Sequence, residues 1–219
     1  MLDMRKVVKE GYEKGDYEKA FRVHTVRLTK FELNLFKNLC NLLPEQSKIL
    51  DLGCGLGIPY DKYLVDKDFN VTGVDFSKKH ISMARKNVPK ARFIYKDFTK
   101  VNFRPATFDA VVSFYAIFHI PRKENKELFL LINKLLKENG IILVSLGTSD
   151  DEYVFEKDWA GAPMVWSTYK PKEYMSIIKN TGFKIIKAVF EGELGDEEYH
   201  FWVLANLSSP LMTAVPLTL

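Results

Sequence analysis

The sequence has little of several features that define other classes of protein. It holds only two cysteines, Cys40 and Cys54, in 219 residues. Small secreted domains usually carry several disulfides, so this shortage predicts a reduced, cytoplasmic setting. The first 16 residues are charged throughout and have no apolar core of the kind that a signal peptide needs. The longest apolar run, Ala110 to Ile120, is too short to span a bilayer, so no membrane partner is expected.

Neither sign of charge is in large excess. The 32 lysines and arginines are nearly balanced by 28 aspartates and glutamates, and the net charge of +4 is too small to indicate a nucleic-acid or membrane partner. The hydrophobic fraction of 47% is typical of folded proteins and excludes a disordered or coiled-coil chain. The length fits one large domain.

Short apolar segments alternate with helical patterns along the chain. The strand candidates are 48–52, 70–75, 91–96, 108–114, 140–146, 183–190 and 199–207. The helix candidates between and around them are 28–43, 60–65, 78–88, 122–137 and 171–181. This alternation predicts a parallel sheet covered by helices on both faces. The last two strands are too close in sequence for a parallel crossover and predict an antiparallel hairpin, whereas 150–167 is predicted to be irregular.

A glycine-rich turn follows the first strand. Gly53, Gly55 and Gly57 stand at alternate positions, where glycine permits a positive φ and lets a ligand approach backbone N–H groups. Asp75 ends the second strand, where its carboxylate can accept hydrogen bonds from ribose hydroxyls. Together these features indicate a nucleoside-containing cofactor. Ile58 stands where the dinucleotide pattern GxGxxG has its third glycine, which disfavours a nicotinamide cofactor.

The turn and its surroundings resemble a known superfamily. ILDLGCGLG at 49–57, with Asp51 two residues before the first glycine, resembles the first motif of the class I S-adenosylmethionine-dependent methyltransferases, and the chain is most similar to small, type 11-like members. The likeness continues through VTGVDFS (71–77), IYKDF (94–98), FDAVVSFYAIFHI (108–120) and LLKENGIILVS (135–145). It implies a Rossmann-like three-layer α/β sandwich with a seven-stranded, mostly parallel sheet, an antiparallel C-terminal hairpin and an N-terminal helical cap.

The resemblance also implies the arrangement of the chain. The seventh strand should lie between the fifth and the sixth. Residues 1–46 would form the cap, 47–207 the S-adenosylmethionine-binding domain with a substrate lid at 150–169, and 208–219 a loose tail. S-adenosylmethionine is the expected cofactor, and no metal site is predicted.

Cofactor-binding roles follow residue by residue from the resemblance. Asp51 would reach the methionine amino group, Asp75 the ribose hydroxyls and Asp97 the adenine amino group. The other expected cofactor contacts are Gly53, Cys54, Gly55, Gly57, Phe76, Phe98, Phe114 and an N-terminal tyrosine, either Tyr17 or Tyr12.

Methyl transfer from a sulfonium is an in-line displacement, so correct positioning can supply most of the catalysis. A base is needed only if the acceptor must lose a proton. His119 is the first candidate for that base and Tyr115 the second, with a packing or orienting role for His119 as the alternative. His24 and His80 lie in charge-rich helical segments and are expected at the surface.

Two acidic segments follow strands whose carboxyl ends should border the acceptor site. Residues 150–169 hold five acidic residues, one lysine and five aromatic residues, and 191–198 hold five acidic residues and no basic one. They predict either solvated loops or a lid and rim that favour a small neutral or cationic acceptor.

Other functions stay open on the sequence alone. SFYA at 113–116 lacks the prolines of base-methylating enzymes, which makes a nucleic-acid substrate unlikely on this pattern. An RNA or protein methyltransferase, a nicotinamide-dependent oxidoreductase and a cofactor-binding module without catalysis are the alternatives. A monomer and a homodimer are equally compatible with the sequence.

Overall fold

A computed structural model describes residues 3–16, 27–193 and 199–208. The helices are α1 (Met4–Lys14), α2 (Lys30–Leu42), α3 (Tyr60–Val65), α4 (Lys78–Asn87), α5 (Asn125–Leu135) and α6 (Pro171–Asn180). The strands are β1 (Lys48–Leu52), β2 (Asn70–Asp75), β3 (Arg92–Tyr95), β4 (Phe108–Ser113), β5 (Leu136–Leu146), β6 (Val154–Trp159), β7 (Ala162–Trp166), β8 (Phe183–Glu191) and β9 (His200–Leu207). Short 3₁₀ helices lie at Phe98–Lys100, Ile117–His119 and Arg122–Glu124.

Seven strands form the main sheet, in the order β3-β2-β1-β4-β5-β9-β8. Strands β1 to β5 pair in parallel, and β9 runs antiparallel to both of its neighbours. The predicted α/β class, the mostly parallel Rossmann-like sheet and the terminal hairpin are therefore confirmed. β9 lies between β5 and β8, as the resemblance implied. Six of its eight residues are buried, which explains why it carries no charged side chain.

The sheet separates two apolar layers. Leu50 and Leu52 of β1 pack on one face, together with residues of α5 and α6. Ile49 packs on the other face, together with residues of α2. Because side chains alternate along a strand, Asp51 points to the same face as Ile49. This alternation places an acidic side chain inside the layer between β1 and α2.

Residues 150–167 are not irregular, and the prediction for them is wrong. They contain a second, two-stranded antiparallel sheet formed by β6 and β7. Five of the six residues of β6 are exposed, so the segment shows no apolar alternation that could reveal a strand. β7 packs instead against α1, where Met164 and Val165 join a small apolar cluster with residues of that helix. The approach is close, since a Cβ on Gly11 would lie 2.5 Å from the carbonyl oxygen of Pro163.

Element boundaries differ from the predictions by a few residues. The largest difference is at β5, which begins at Leu136, where a helix was expected to continue to residue 137. Leu136 pairs with Phe108 at the start of β4, and this pairing ends α5. Within the described ranges, no helix combines the length and the apolar character that crossing a bilayer requires.

Candidate active site

A cleft lies at the carboxyl ends of β1, β2, β3 and β4, beside α1. Its empty space, counting the part open to solvent, amounts to about 590 Å³. The predicted site residues that line it are Gly53, Gly55, Asp75, Phe76, Asp97, Phe98, Phe114, Tyr115 and His119. Arg5, Tyr12, His80, Ala116 and Ile120 complete its wall. The fold thus brings together residues from both the sheet and the N-terminal helix.

The glycine turn forms the floor of the cleft. At Gly53, with a φ of 86°, a Cβ would lie 2.3 Å from the Cβ of Ala116, so a side chain is excluded. Gly55 has a φ of 50°, and a Cβ there would meet no atom within 4 Å. Its N–H donates a hydrogen bond of 3.0 Å to Oδ2 of Asp75. The turn is therefore fixed to the end of β2 and leaves open space beside its backbone.

Asp75 is held from two sides. Its Oδ1 accepts a hydrogen bond of 2.8 Å from the N–H of Ser77, and Nδ1 of His80 lies 3.8 Å from the same oxygen. His80 is only 3% exposed, so the expectation of a surface histidine is wrong. The reason is long-range packing, since its ring contacts Tyr12 of α1 with a centroid separation of 5.1 Å.

Asp97 is paired with a residue of α1. Its Oδ1 accepts a hydrogen bond of 2.9 Å from the N–H of Thr99, and its Oδ2 lies 3.1 Å from Nε of Arg5. Nη1 of Arg5 donates a hydrogen bond of 3.0 Å to Oε1 of Glu124, and Nη2 contacts the other oxygen of that carboxylate. Arg5 therefore fastens α1 to two segments of the methyltransferase-like region. No sequence pattern identified it, because a single arginine on a charged helix looks like an exposed residue.

The buried His119 is hydrogen-bonded to the half-buried Tyr12. Nδ1 of His119 lies 3.0 Å from the carbonyl oxygen of Val165, which can only accept, so Nδ1 carries the proton. Nε2 then accepts a hydrogen bond of 2.7 Å from the hydroxyl of Tyr12. Burial lowers the pKa of His119 to about 4, and the ring is neutral near pH 7. Tyr17 lies outside the described residues; the tyrosine seen at the cleft is Tyr12.

Tyr115 is bonded to a buried carboxylate. Its hydroxyl donates a hydrogen bond of 2.7 Å to Oε2 of Glu191, and Nε1 of Trp202 donates one of 2.9 Å to the same oxygen. Burial, reinforced by the charge of Glu191, raises the pKa of Tyr115 well above its usual range. The ring also stacks on Tyr60, whose hydroxyl donates to Glu32, a second buried carboxylate. Two buried acids thus lie behind the wall of the cleft, where they are bonded to Tyr115 and Tyr60.

Three predicted cofactor residues are not among those that line the cleft. A Cβ on Gly57 would lie 3.1 Å from the ring of Phe93, so this glycine permits close packing beneath the turn. Cys54 is buried in the same apolar cluster as Phe93. Asp51 is 2% exposed and lies beside the carboxyl group of Asp61, a residue that the sequence did not single out.

The β6–β7 hairpin brings two of the predicted lid aromatics to the back of the cleft wall. The ring of Trp159 lies 5.8 Å from that of Tyr12, and Trp166 lies 6.0 Å from His119, measured between centroids. Tyr153 and Phe155 are exposed. Of the five aromatic residues of 150–169, Trp159 and Trp166 therefore pack against the wall of the cleft.

Comparisons with known proteins agree with this geometry. Residues 49–140, which include the glycine turn, Asp75 and Asp97, match the family described as Methyltransferase domain. A sterol 24-C-methyltransferase of Debaryomyces hansenii is 28% identical over 196 residues, which cover 82% of this chain and 48% of that protein. Residues 49–140 thus match a methyltransferase domain, which confirms the resemblance to the class I S-adenosylmethionine-dependent methyltransferases.

Other proteins that this chain resembles differ in length. YqeM of Bacillus subtilis, named as a methyltransferase, is 28% identical over 166 residues, which cover 70% of this chain and 65% of YqeM. The chain therefore spans between about half and two thirds of the length of these two curated relatives. The structure of magnesium protoporphyrin IX methyltransferase from Synechocystis PCC 6803 with bound SAH, the demethylated product of S-adenosylmethionine, superposes with a TM-score of 0.70. That match covers 94% of this chain and 100% of the other at 16% identity, a likeness of fold.

Proposed function

We propose that this protein binds S-adenosylmethionine and transfers its methyl group to a small-molecule acceptor. The observation that carries the proposal is the link between the glycine turn and the end of β2. The N–H of Gly55 donates to Asp75, and both residues line the same cleft. In open α/β sheets this is the place where nucleoside ligands bind.

The residues present fit such a cofactor. The position beside Gly55 is open, so a ligand could lie against the backbone of the turn where a side chain would block it. Asp75 keeps its carboxylate at the cleft for ribose hydroxyls, and Phe76 lines the wall beside it. Asp97 and Phe98 would hold the adenine end, with Arg5 already bonded to the Asp97 carboxylate. Asp51 offers a buried oxygen, Oδ1, that accepts no other hydrogen bond from the described residues.

When bound, the cofactor would supply an electrophilic methyl group on a sulfonium. The chain's part would be to orient the acceptor and to exclude water. Phe114 and Tyr115 line one side of the cleft, and the buried Glu191 lies behind Tyr115. The hydroxyl of Tyr115 is committed to Glu191, and Nε2 of His119 to Tyr12. We therefore propose positioning roles for both side chains, and the base roles expected for them stay predictions.

A neutral or cationic acceptor fits the charges around this side of the cleft. Glu32 and Glu191 are buried beside the rings of Tyr60 and Tyr115. Electron-rich rings next to carboxylates attract cations and repel anions. Small-molecule acceptors are also the ones named for the relatives, which include sterol, phytylhydroquinone and phosphoethanolamine methyltransferases.

Calorimetry and a labelled donor would test the proposal. We expect S-adenosylhomocysteine, the demethylated cofactor, to bind and a nicotinamide dinucleotide not to bind. Binding of the dinucleotide alone would instead favour an oxidoreductase. With a methyl-labelled donor and cell extract, we expect label in the small-molecule fraction. Label only in RNA or protein would overturn the acceptor class, and no label in any fraction would favour a binding module without catalysis.

The hairpin supports a narrower proposal, that residues 150–169 help to close the site. Trp159→Ala and Trp166→Ala would each remove a ring that packs on the wall residues Tyr12 and His119. We expect weaker acceptor binding or slower turnover in both variants. Phe155→Ala is the matched control, since that ring is 48% exposed on the same hairpin. Unchanged affinity and turnover in both tryptophan variants would exclude a lid role.

A further inference from the structure

Two buried carboxyl groups face each other beneath the glycine turn. Asp51 ends β1 on the face that carries Ile49, and Asp61 lies in the first turn of α3. Their residues are 2% and 0% exposed, and their side chains are in hydrogen-bond contact with each other. Oδ1 of Asp51 and both side-chain oxygens of Asp61 have no other hydrogen-bond partner in the part of the chain that the structure describes.

Such a pair cannot hold two negative charges without a cation. A buried carboxylate is strongly disfavoured, and a second one beside it adds direct repulsion. Burial raises the pKa of Asp51 to about 7 and raises that of Asp61 well above its usual range. A hydrogen bond between two carboxyl groups also requires one of them to carry a proton. Near neutral pH the pair therefore keeps at least one proton.

We propose that Asp61 is a positioning residue that keeps its proton in a hydrogen bond donated to Asp51, and that the proton of Asp51 leaves to solvent when the cofactor's ammonium group binds. This inference rests on the proposed function and on the role of Asp51 toward the methionine amino group. The ammonium would supply the positive charge that an ionised Asp51 needs in its buried position. No covalent bond changes, and the proton passes to water or buffer.

The sign of the pH dependence follows from linkage. A bound cation lowers the pKa of the pair, so the complex holds fewer protons than the free protein, and affinity rises with pH. One proton that titrates near pH 7 makes binding about tenfold weaker at pH 6 than at pH 8.

Other titratable groups lie near the pair, and their contribution to the pH dependence must be distinguished from that of the pair. Asp75 and Cys54 lie close enough to interact electrostatically with Asp51. His80 faces Asp75 from α4. The pKa of His119, also near Asp75, is about 4, below the range of interest. A variant at Asp51 leaves all of these in place, so any pH dependence that it retains comes from them or from the ligand.

Calorimetry on the unmodified protein gives the first test. Titration with S-adenosylhomocysteine at pH 7, in two buffers of different ionisation enthalpy, counts the protons released. We expect about half a proton. 5′-Methylthioadenosine, which lacks the amino-acid part, should release none. If S-adenosylhomocysteine binds with no proton release or with proton uptake, the inference fails while the proposed function stands. If it does not bind, the proposed function itself fails.

Variants of the pair give the second test. Asp51→Asn has no proton to release, so we expect proton release near zero and a nearly flat affinity between pH 6 and pH 8. Asp61→Asn keeps a donor toward Asp51 and should keep the tenfold dependence, whereas Asp61→Leu removes the donor, disfavours the ionised Asp51 and should move the pH dependence to higher pH.

Asp66→Asn is the matched control, because that carboxylate is 59% exposed and follows the same helix. It should keep the tenfold dependence. A tenfold dependence retained in a folded Asp51→Asn protein, or an unshifted one in Asp61→Leu, would overturn the inference. If Asp51→Asn does not fold or bind, the proton count on the unmodified protein decides.

Discussion

The hydroxyl of Tyr12 donates a hydrogen bond of 2.7 Å to Nε2 of His119, across 107 positions of sequence. This bond joins α1 to the 3₁₀ helix after β4 and fixes the tautomer of the histidine. It also explains how His119 can be buried and neutral, since both ring nitrogens have partners. The two residues together form one corner of the cleft.

The burial of His119 makes stability depend on pH. Its pKa is about 4 in the folded protein against a usual value of 6.5, so the unfolded chain binds more protons between these values. Stability therefore falls as the pH drops from about 6.5 to 4. For this residue the loss is about 3 kcal/mol at pH 4. We expect denaturant unfolding to show a smaller fall in the free energy of unfolding for His119→Gln between pH 6.5 and pH 4. The difference from the unmodified protein should be about 3 kcal/mol at pH 4. Equal pH slopes for the two proteins would contradict the buried, neutral state.

Arg5 holds the first turn of α1 through Asp97 and Glu124. Arg5→Gln should lower the free energy that is needed to open α1 by about 1–2 kcal/mol, because charge-assisted hydrogen bonds between partly buried groups are lost. The measurement is hydrogen exchange of the α1 amides, which should become about tenfold faster. Lys14→Ala is the control, since its bond to Glu10 is an exposed pair on the same helix. It should have little effect. Equal effects of the two substitutions would show that Arg5 has no special role.

Alanine substitutions at Gly53 and Gly161 would separate the effect of backbone strain from that of a steric clash. Both have a φ of 86°, so alanine costs about 1–2 kcal/mol at either position. Only at Gly53 would the new Cβ collide with a neighbour, the Cβ of Ala116 at 2.3 Å. We expect Gly161→Ala to bind S-adenosylhomocysteine normally and Gly53→Ala to lose more than tenfold in affinity, as measured by calorimetry. Normal binding by Gly53→Ala would mean that the turn can shift away from Ala116.

Tyr115→Phe distinguishes a positioning role from a base. The variant removes the hydrogen bond from Tyr115 to Oε2 of Glu191, while the one from Trp202 stays, so stability should fall by about 1 kcal/mol. If Tyr115 only orients its surroundings, turnover should fall less than tenfold and the pH profile of kcat should keep its shape. A loss of about 100-fold or more, with a changed profile, would support a base. Tyr153→Phe, at an exposed tyrosine, is the control.

Much of the sheet could be predicted because its strands are either buried runs or end at chemically distinctive residues. The bounds of β1 and β2 agree with prediction, and their ends carry the glycine turn and Asp75. The β6–β7 hairpin could not be predicted, because β6 is exposed and is stabilised by pairing with β7. The signal that could have revealed it was Gly161, between two short segments rich in large residues.

The site was predictable only where local sequence determines geometry. Gly55 and Asp75 are brought together by adjacent parallel strands, which the pattern already implied. Arg5 and His80 were missed because their environment depends on how α1 packs over the sheet. Asp61 was missed for a similar reason, since a charged residue at a helix start is usually a solvated one. Its burial becomes apparent only when α3 is placed against β1.

The contacts of α1 suggest the order in which the molecule assembles. Arg5 reaches Glu124 across 119 residues of sequence, and Gly11 lies against Pro163. Closing such long loops is entropically unfavourable until their partners are already in place. The docking surface for α1 includes β7, α4 and the 3₁₀ helix after β4, which must form first. We therefore expect this helix to dock late in folding, so that the cleft is completed only after the sheet.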